Sequence, residues 1–200
     1  MAWLEPITLR GKYATLAPLT QRHHDGIVAA AKDGELWHLW YTSVPAPEKM
    51  AAEIERRLRQ QEAGAMLPFV VVENASGAPV GMTNYLNADA ANRRLEIGAT
   101  WYAKRVQRTA INTECKLALL THAFERLDCI AVEFRTHIFN HQSRRGIERL
   151  GAKLDGILRN HQISANGTYR DTCVYSIIAS EWPAVKAHLA WSLSKPREGA

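Results

Sequence analysis

Within residues 95–138, apolar residues recur first at every second position, then at every third or fourth, and then again at every second position. This pattern predicts a strand, a turn, a helix and a second strand. The first strand covers residues 95–102. Behind the turn, apolar residues recur at helical spacing, and small residues widen their stripe: Leu117, Leu120, Phe124, Leu127, Ala118, Ala123. Alternation then predicts the second strand, through Ile130, Val132, Phe134 and Ile138. The order is that of a βαβ unit.

Further elements flank this unit, and glycine- or proline-rich turns separate them. The predicted strands and helices outside the unit are a strand pair at 7–9 and 13–16, helices at 20–32 and 48–63, hairpins at 69–73/79–86 and 154–163/169–179, and a C-terminal helix opened by Glu181-Trp182-Pro183. They predict an α/β (mixed α+β) fold in a single domain over residues 1–200. The tail at residues 195–200 is expected to be disordered.

The turn in the βαβ unit, Lys104–Asn112, is basic and leads directly into the predicted helix. Free backbone N–H groups and the positive end of the helix dipole therefore point at the same place, which favours an anion. After the second strand, Asn140 is a good N-cap for a further helix, and Gly151 is placed to end it. We therefore predict a pyrophosphate site at this turn.

Composition narrows the class of protein. The 200 residues are 46% hydrophobic and 22% charged, as in ordinary globular proteins, and no apolar run is long enough to span a membrane. No secretory signal is visible at the N-terminus, so a cytoplasmic protein is expected. The three cysteines are far apart, which argues against a disulfide framework or a zinc ribbon. The net charge of +5 suits an anionic cofactor and leaves nucleic-acid binding as a weaker alternative.

Several motifs together resemble the GNAT acetyltransferase superfamily, in particular the branch of ribosomal-protein N-terminal acetyltransferases. Gln107–Asn112 stands where that family has Q/R-x-x-G-x-G/A, with Ala110 and Asn112 at two of the small positions. The stretches Asn112–Glu125, Asn140-x-x-Ser143 and Tyr169–Ile177 are also similar to that branch. The resemblance implies a central mixed, splayed sheet of about seven strands. It also implies transfer of an acetyl group from acetyl-CoA to a primary amine, by direct attack in a ternary complex.

The same resemblance implies roles for two catalytic residues. Glu96 stands where the family often has a general base, although a strand glutamate can instead be solvated or paired with a cation. Ser143 matches a serine that can protonate the departing sulfur, or it bonds a free N–H at the helix start. Many family members have a tyrosine acid where this chain has Ile147.

The remaining site residues are also assigned by resemblance. The cofactor-binding residues are predicted to be Thr100, Trp101, Tyr102, Gln107, Arg108, Thr109, Ala110, Ile111, Asn112, Thr113, Asn140 and Arg145. For Thr100–Tyr102 the role belongs to the backbone. Trp37, Trp40, Tyr41 and Asn84 are predicted to line the acceptor pocket, while helix packing is the alternative for the aromatic cluster. No metal site is expected.

Alternatives to the acetyltransferase stay open at this point. The acyl donor could be another acyl-CoA such as succinyl-CoA, and the chain could be a non-catalytic acyl-CoA-binding regulatory module. The acceptor is either a protein N-terminus or a small molecule. A homodimer could form through the edge strand of the C-terminal hairpin.

Overall fold

One eight-stranded sheet organises the computed structural model, which describes residues 3–195. The strand order is β1-β2-β3-β4-β5-β6-β8-β7. The strands are β1 (Leu9–Arg10), β2 (Ala14–Pro18), β3 (Met66–Glu73), β4 (Pro79–Asp89), β5 (Arg94–Tyr102), β6 (Ala131–His137), β7 (Lys153–Ile163) and β8 (Tyr169–Ile178). The helices are α1 (His24–Lys32), α2 (Met50–Glu62), α3 (Ile111–Glu125), α4 (His141–Glu148) and α5 (Trp182–Ser194). Short 3-10 helices cover Gln21–His23, Leu36–His38, Pro47–Lys49 and Lys104–Val106.

The sheet is split between β5 and β6, its one parallel pair within residues 3–195. Pairing joins Arg94–Glu96 to Ala131–Glu133 and then stops, although both strands continue. β5 also carries a bulge against β4, where Ala99 has a φ of 47°. The second half of β5 therefore has no strand on its β6 side, and a gap opens in the sheet.

The two faces of the sheet carry different helices. Alternation along β4 places Asn84 on one face, where it contacts Arg57 of α2, and Tyr85 on the other, where it donates to the Leu119 carbonyl of α3. α1 contacts β4 and α2 on the first face, and α3 packs against α5 on the second. A hydrophobic core fills both interfaces, with Phe69, Met82 and Leu119 completely buried.

The predicted fold class is confirmed, and the sheet has eight strands where about seven were expected. The stripe predicted for α3 is confirmed at Leu120, Ala123 and Phe124, which are buried, whereas Leu117, Ala118 and Leu127 are only partly buried. Cys115, Lys116 and Leu119 are buried as well. Sheet and α5 both bury parts of this helix, so its inner face is wider than one apolar stripe. Of the predicted tail, residues 196–200 lie outside the described residues.

Candidate active site

A cleft of about 1030 Å³ opens where β5 and β6 diverge. Its lining comes from both faces of the sheet, including Arg57 of α2 on one face and Lys116 of α3 on the other. The loop after α1, the turn before α3, helix α4 and the β7–β8 hairpin complete its walls. The gap in the sheet thus connects two surfaces that a continuous sheet would separate.

The turn at residues 107–112, here called the amide turn, lies at the α3 end of the cleft. Its shape is fixed locally, because the Gln107 side chain donates to the Tyr102 carbonyl and the Thr109 hydroxyl to the Val106 carbonyl. Arg108 has a φ of 63°. Within residues 3–195, the backbone N–H groups of Ala110 and Asn112 have no hydrogen-bond acceptor. Such N–H groups at a helix start can hold an anion, and they lie on the turn where the sequence predicts a pyrophosphate site.

The open edge of β5 forms the adjacent wall. Thr100, Trp101 and Tyr102 all line the cleft, and the last two side chains are buried. Their backbone pairs with β4 on one side only, since β6 has already diverged. An extended ligand with amide groups could pair with this edge as an added strand does. The arrangement therefore fits a backbone role for these three residues.

Glu96 lies on the α2 face at the point where the strands separate. It is 7% exposed, accepts a hydrogen bond from Asn87 at 2.9 Å, and lies 3.6 Å from Arg135. Burial raises the pKa of its carboxyl, and the charge of Arg135 and the Asn87 hydrogen bond oppose that rise. A cleft carboxylate with a raised pKa is suited to accept a proton near neutral pH.

Gly98 makes the room that the Glu96 side chain occupies. A Cβ on Gly98 would lie 2.5 Å from Glu96 Oε1 and 2.8 Å from Leu86 Cδ1. Any other residue here would force the carboxylate to move. The sequence Glu-x-Gly therefore fixes where this carboxylate lies in the cleft.

A buried polar chain connects α2 to the bulge in β5, and the sequence did not reveal it. Arg57, which is 2% exposed, donates to Glu53 at 2.7 Å and to Asn84 Oδ1 at 2.8 Å. Asn84 in turn donates to the Gly98 carbonyl at 2.9 Å. The Asn84 side chain is fully buried, so it supports the wall of the cleft instead of facing a ligand. This differs from its predicted place in the acceptor pocket.

Helix α4 contributes the wall opposite β5. Asn140 is its N-cap, with the side chain accepting from the Ser143 N–H at 3.0 Å, and both residues line the cleft. Ile147, at the position of the family's tyrosine, also lines it and offers no proton. Arg145 is exposed and is not among the lining residues, so its predicted cofactor contact has no support.

The predicted aromatic cluster is only partly in the cleft. Tyr41 lines it, with its ring 6.4 Å from that of His137. Trp40 is half exposed and covers His137 at a ring distance of 5.0 Å. Trp37 packs partly buried against the core and pairs with His38, which agrees with the packing alternative. Of the three aromatic residues predicted for the acceptor pocket, only Tyr41 lines the cleft, beside His137.

Lys116 is the second lining residue that sequence reasoning missed. It is 5% exposed, and its amine contacts the hydroxyls of Thr100 and Thr83. Burial lowers the pKa of this amine to about 7. A lysine two turns into an amphipathic pattern is usually solvated, so only contacts distant in sequence could have revealed it.

The residues present fit an acyl-CoA. The unbonded amides of the turn suit its phosphates, and the open edge of β5 suits the amide-bearing pantetheine arm. No cluster of His, Cys, Asp and Glu side chains in residues 3–195 is placed to hold a metal ion. Within the same residues, every helix is too short or too polar to cross a membrane.

Comparison with known proteins identifies the family. The model of the acetyltransferase (GNAT) domain family matches residues 14–153. The chain therefore belongs to the GNAT acetyltransferases. This membership confirms the predicted family, the class of acyl-CoA-dependent N-acetyltransferases and acetyl-CoA as the cofactor of that class.

Relatives with names or structures agree with this family. YdaF of Bacillus subtilis (strain 168), provisionally named a ribosomal N-acetyltransferase, is 34% identical over 110 residues, which are 55% of this chain and 59% of YdaF. The chain thus matches about three fifths of that relative's length. A GCN5-related N-acetyltransferase from Brucella melitensis is 30% identical, with a TM-score of 0.84 over 96% of this chain and 87% of its own. Mycobacterium smegmatis RimJ, solved with a CoA-disulfide, shares the fold at 22% identity, with a TM-score of 0.78 over 94% and 95% of the two chains.

Proposed function

We propose that this protein transfers an acetyl group from acetyl-CoA to a primary amine, with a protein N-terminus as the favoured acceptor. The observation that carries the proposal is the gap between β5 and β6, which joins the amide turn on one side of the sheet to Glu96 on the other. A donor and an acceptor can therefore meet from opposite faces without competing for one entrance. The name of the Bacillus subtilis relative supports a protein acceptor.

Acetyl-CoA would supply the acetyl thioester, held by the amide turn and by the backbone of Thr100–Tyr102. The chemistry left to the protein is proton transfer and orientation. Glu96, directly or through a water, accepts the proton that the acceptor amine must lose before it attacks. Its buried position favours that role, since a raised carboxyl pKa makes the carboxylate a better base.

Ser143 is the proton donor proposed for the departing thiolate. Its backbone N–H is engaged by the Asn140 side chain, so the hydroxyl is not needed to cap α4. Both residues line the cleft next to Ile147. This supports the role of proton donor over the alternative in which the Ser143 hydroxyl serves the helix start.

The test replaces Glu96 by Gln and measures transfer to a panel of N-terminal peptides. The substitution keeps the shape but removes the base, and kcat/KM should fall by about 100-fold or more at neutral pH. Glu55→Gln is the control for losing one carboxylate, because Glu55 is exposed, pairs only with Arg59 among the described residues and does not line the cleft. Wild-type turnover in the Glu96→Gln variant would reject the base, and acetyl-CoA binding without transfer to any amine would favour the regulatory module.

A further inference from the structure

The Lys116 amine is enclosed by uncharged groups. Its Nζ donates to Thr100 Oγ1 at 2.9 Å and to Thr83 Oγ1 at 3.3 Å, and it lies 5.9 Å from the centre of the Phe134 ring. No carboxylate in residues 3–195 forms an ion pair with it. Lysine is almost never buried unless it is paired, so this amine calls for a functional explanation.

Its partners place the amine at the gap in the sheet. Thr83 and Thr100 lie on neighbouring strands β4 and β5, and Phe134 lies on β6 beyond the point where pairing stops. Lys116 therefore reaches the gap from the α3 face and lines the same cleft as the amide turn and Glu96. An acyl-CoA that fills this cleft meets a wall that includes this amine.

The hydrogen-bond count leaves one donor for such a ligand. An ammonium has three N–H groups, and the two hydroxyls accept two of them. A neutral amine has two N–H groups and a lone pair, and donating to both hydroxyls uses both N–H groups. One N–H is therefore left for a ligand when the lysine is protonated.

We infer that Lys116 is a binding residue for the acyl-pantetheine arm, donating its remaining N–H to a carbonyl oxygen of the arm. The arm is uncharged and carries amide and thioester carbonyls as its acceptors, which match a donor placed among neutral groups. The inference rests on the proposed function, because it requires an acyl-CoA in the cleft. It divides the cofactor between two sites, with phosphates at the amide turn and the arm at Lys116.

Calorimetric titration of Lys116→Met with two ligands tests this division. Acetyl-CoA has the arm, whereas adenosine 3′,5′-bisphosphate has phosphates and no arm. Loss of a hydrogen bond from a charged donor should weaken acetyl-CoA binding about ten- to 100-fold, while affinity for the bisphosphate stays within about twofold. The variant should fold, because the Thr83 and Thr100 hydroxyls are 2.7 Å apart and can pair with each other. An apolar residue in place of a buried charge is also often tolerated.

Two further variants sharpen the result. Lys116→Gln keeps an N–H donor and should recover part of the acetyl-CoA affinity. Lys153→Met removes an exposed lysine of β7 and should leave the affinities for both ligands unchanged. The inference would be overturned if Lys116→Met lowered the affinity for both ligands equally, or if it changed neither affinity. If the wild-type protein binds neither acetyl-CoA nor the bisphosphate, the proposed function fails together with it.

Discussion

The two halves of the cleft are built over very different distances along the chain. The half proposed to bind the cofactor, here called the cofactor half, comprises residues 100–116 with the start of α4 and is mainly one continuous strand, turn and helix. The half proposed to bind the amine, here called the acceptor half, gathers Tyr41, Arg57, Glu96 and His137 from four separate elements, with the β7–β8 hairpin beside them. Local backbone geometry makes the first half, and long-range side-chain contacts make the second.

This difference determines how each half can fail. An anion site made of backbone N–H groups tolerates changes of side chain provided that the turn keeps its shape. The acceptor half depends on particular side chains meeting, above all the Arg57–Asn84 connection that supports the bulge of β5. We therefore expect two groups of substitutions: those that weaken cofactor binding alone, and those that lower stability or weaken binding of the acceptor.

The largest effect is expected at Arg57. Arg57→Met leaves Asn84 Oδ1 buried without its donor and removes one partner of Glu53, which keeps Arg56. We expect the free energy of unfolding to fall by about 3 kcal/mol, the lower end for breaking a buried ionic contact. Arg59→Met is the matched control: Arg59 is on the same helix, 60% exposed and paired with Glu55, and should cost less than about 0.5 kcal/mol. Urea unfolding of both variants measures the difference, and equal midpoints would contradict it.

The next effect concerns the cofactor half. Ala110 precedes α3 and is 6% exposed, so Ala110→Trp must displace the amide turn. Loss of two charge-assisted hydrogen bonds should weaken acetyl-CoA binding about 100-fold or more, with a smaller loss of stability than the one expected for Arg57→Met. Calorimetry gives the affinity. Ala165→Trp in the exposed β7–β8 turn serves as the control for adding an indole. Unchanged affinity in Ala110→Trp would place the phosphates elsewhere.

A smaller effect should be confined to the acceptor. Tyr41 lines the cleft beside His137 and belongs to a loop, not to the amide turn. Tyr41→Ala should raise the KM for a peptide acceptor by about three- to tenfold, the cost of one aromatic contact, with acetyl-CoA affinity unchanged. Tyr169→Ala removes an aromatic ring that is 68% exposed, and it should change neither the KM for the peptide nor the affinity for acetyl-CoA. A change in acetyl-CoA affinity would mean that the halves are coupled.

What the sequence could reveal follows the same division. The βαβ order, the amide turn and the Asn140 cap were predictable because each depends on neighbouring residues. Arg57 could not be found, since its burial requires Asn84 from a later strand, and an Arg- and Glu-rich helix is typical of a solvated one. Lys116 was hidden for the same reason, because Thr83 and Thr100 are brought to it by the sheet. The bulge at Ala99 follows Gly98, and a glycine inside a strand pattern is the one local signal that could have indicated it.

The smallest effect is on stability, and it concerns Glu96. Burial raises the pKa of this carboxyl in the folded protein, so the unfolded chain releases the proton at lower pH than the folded protein does. As the pH rises from the ordinary carboxyl range through the raised folded pKa, ionisation favours the unfolded chain, and stability is lost. Above that window the penalty is constant.

Glu96→Gln removes this penalty while it removes the proposed base. The variant should therefore be more stable than the wild type at pH 7 to 8, by on the order of 1 kcal/mol, and the difference should vanish below about pH 4, where Glu96 is protonated in both states. Thermal melts of the wild type, Glu96→Gln and the control Glu55→Gln across this pH range measure the difference. A pH-independent difference would show that Arg135 and Asn87 compensate fully for burial. Ionisation of Glu96 would then not destabilise the folded protein, and its carboxylate would have a structural role instead of being a base whose ionisation lowers stability.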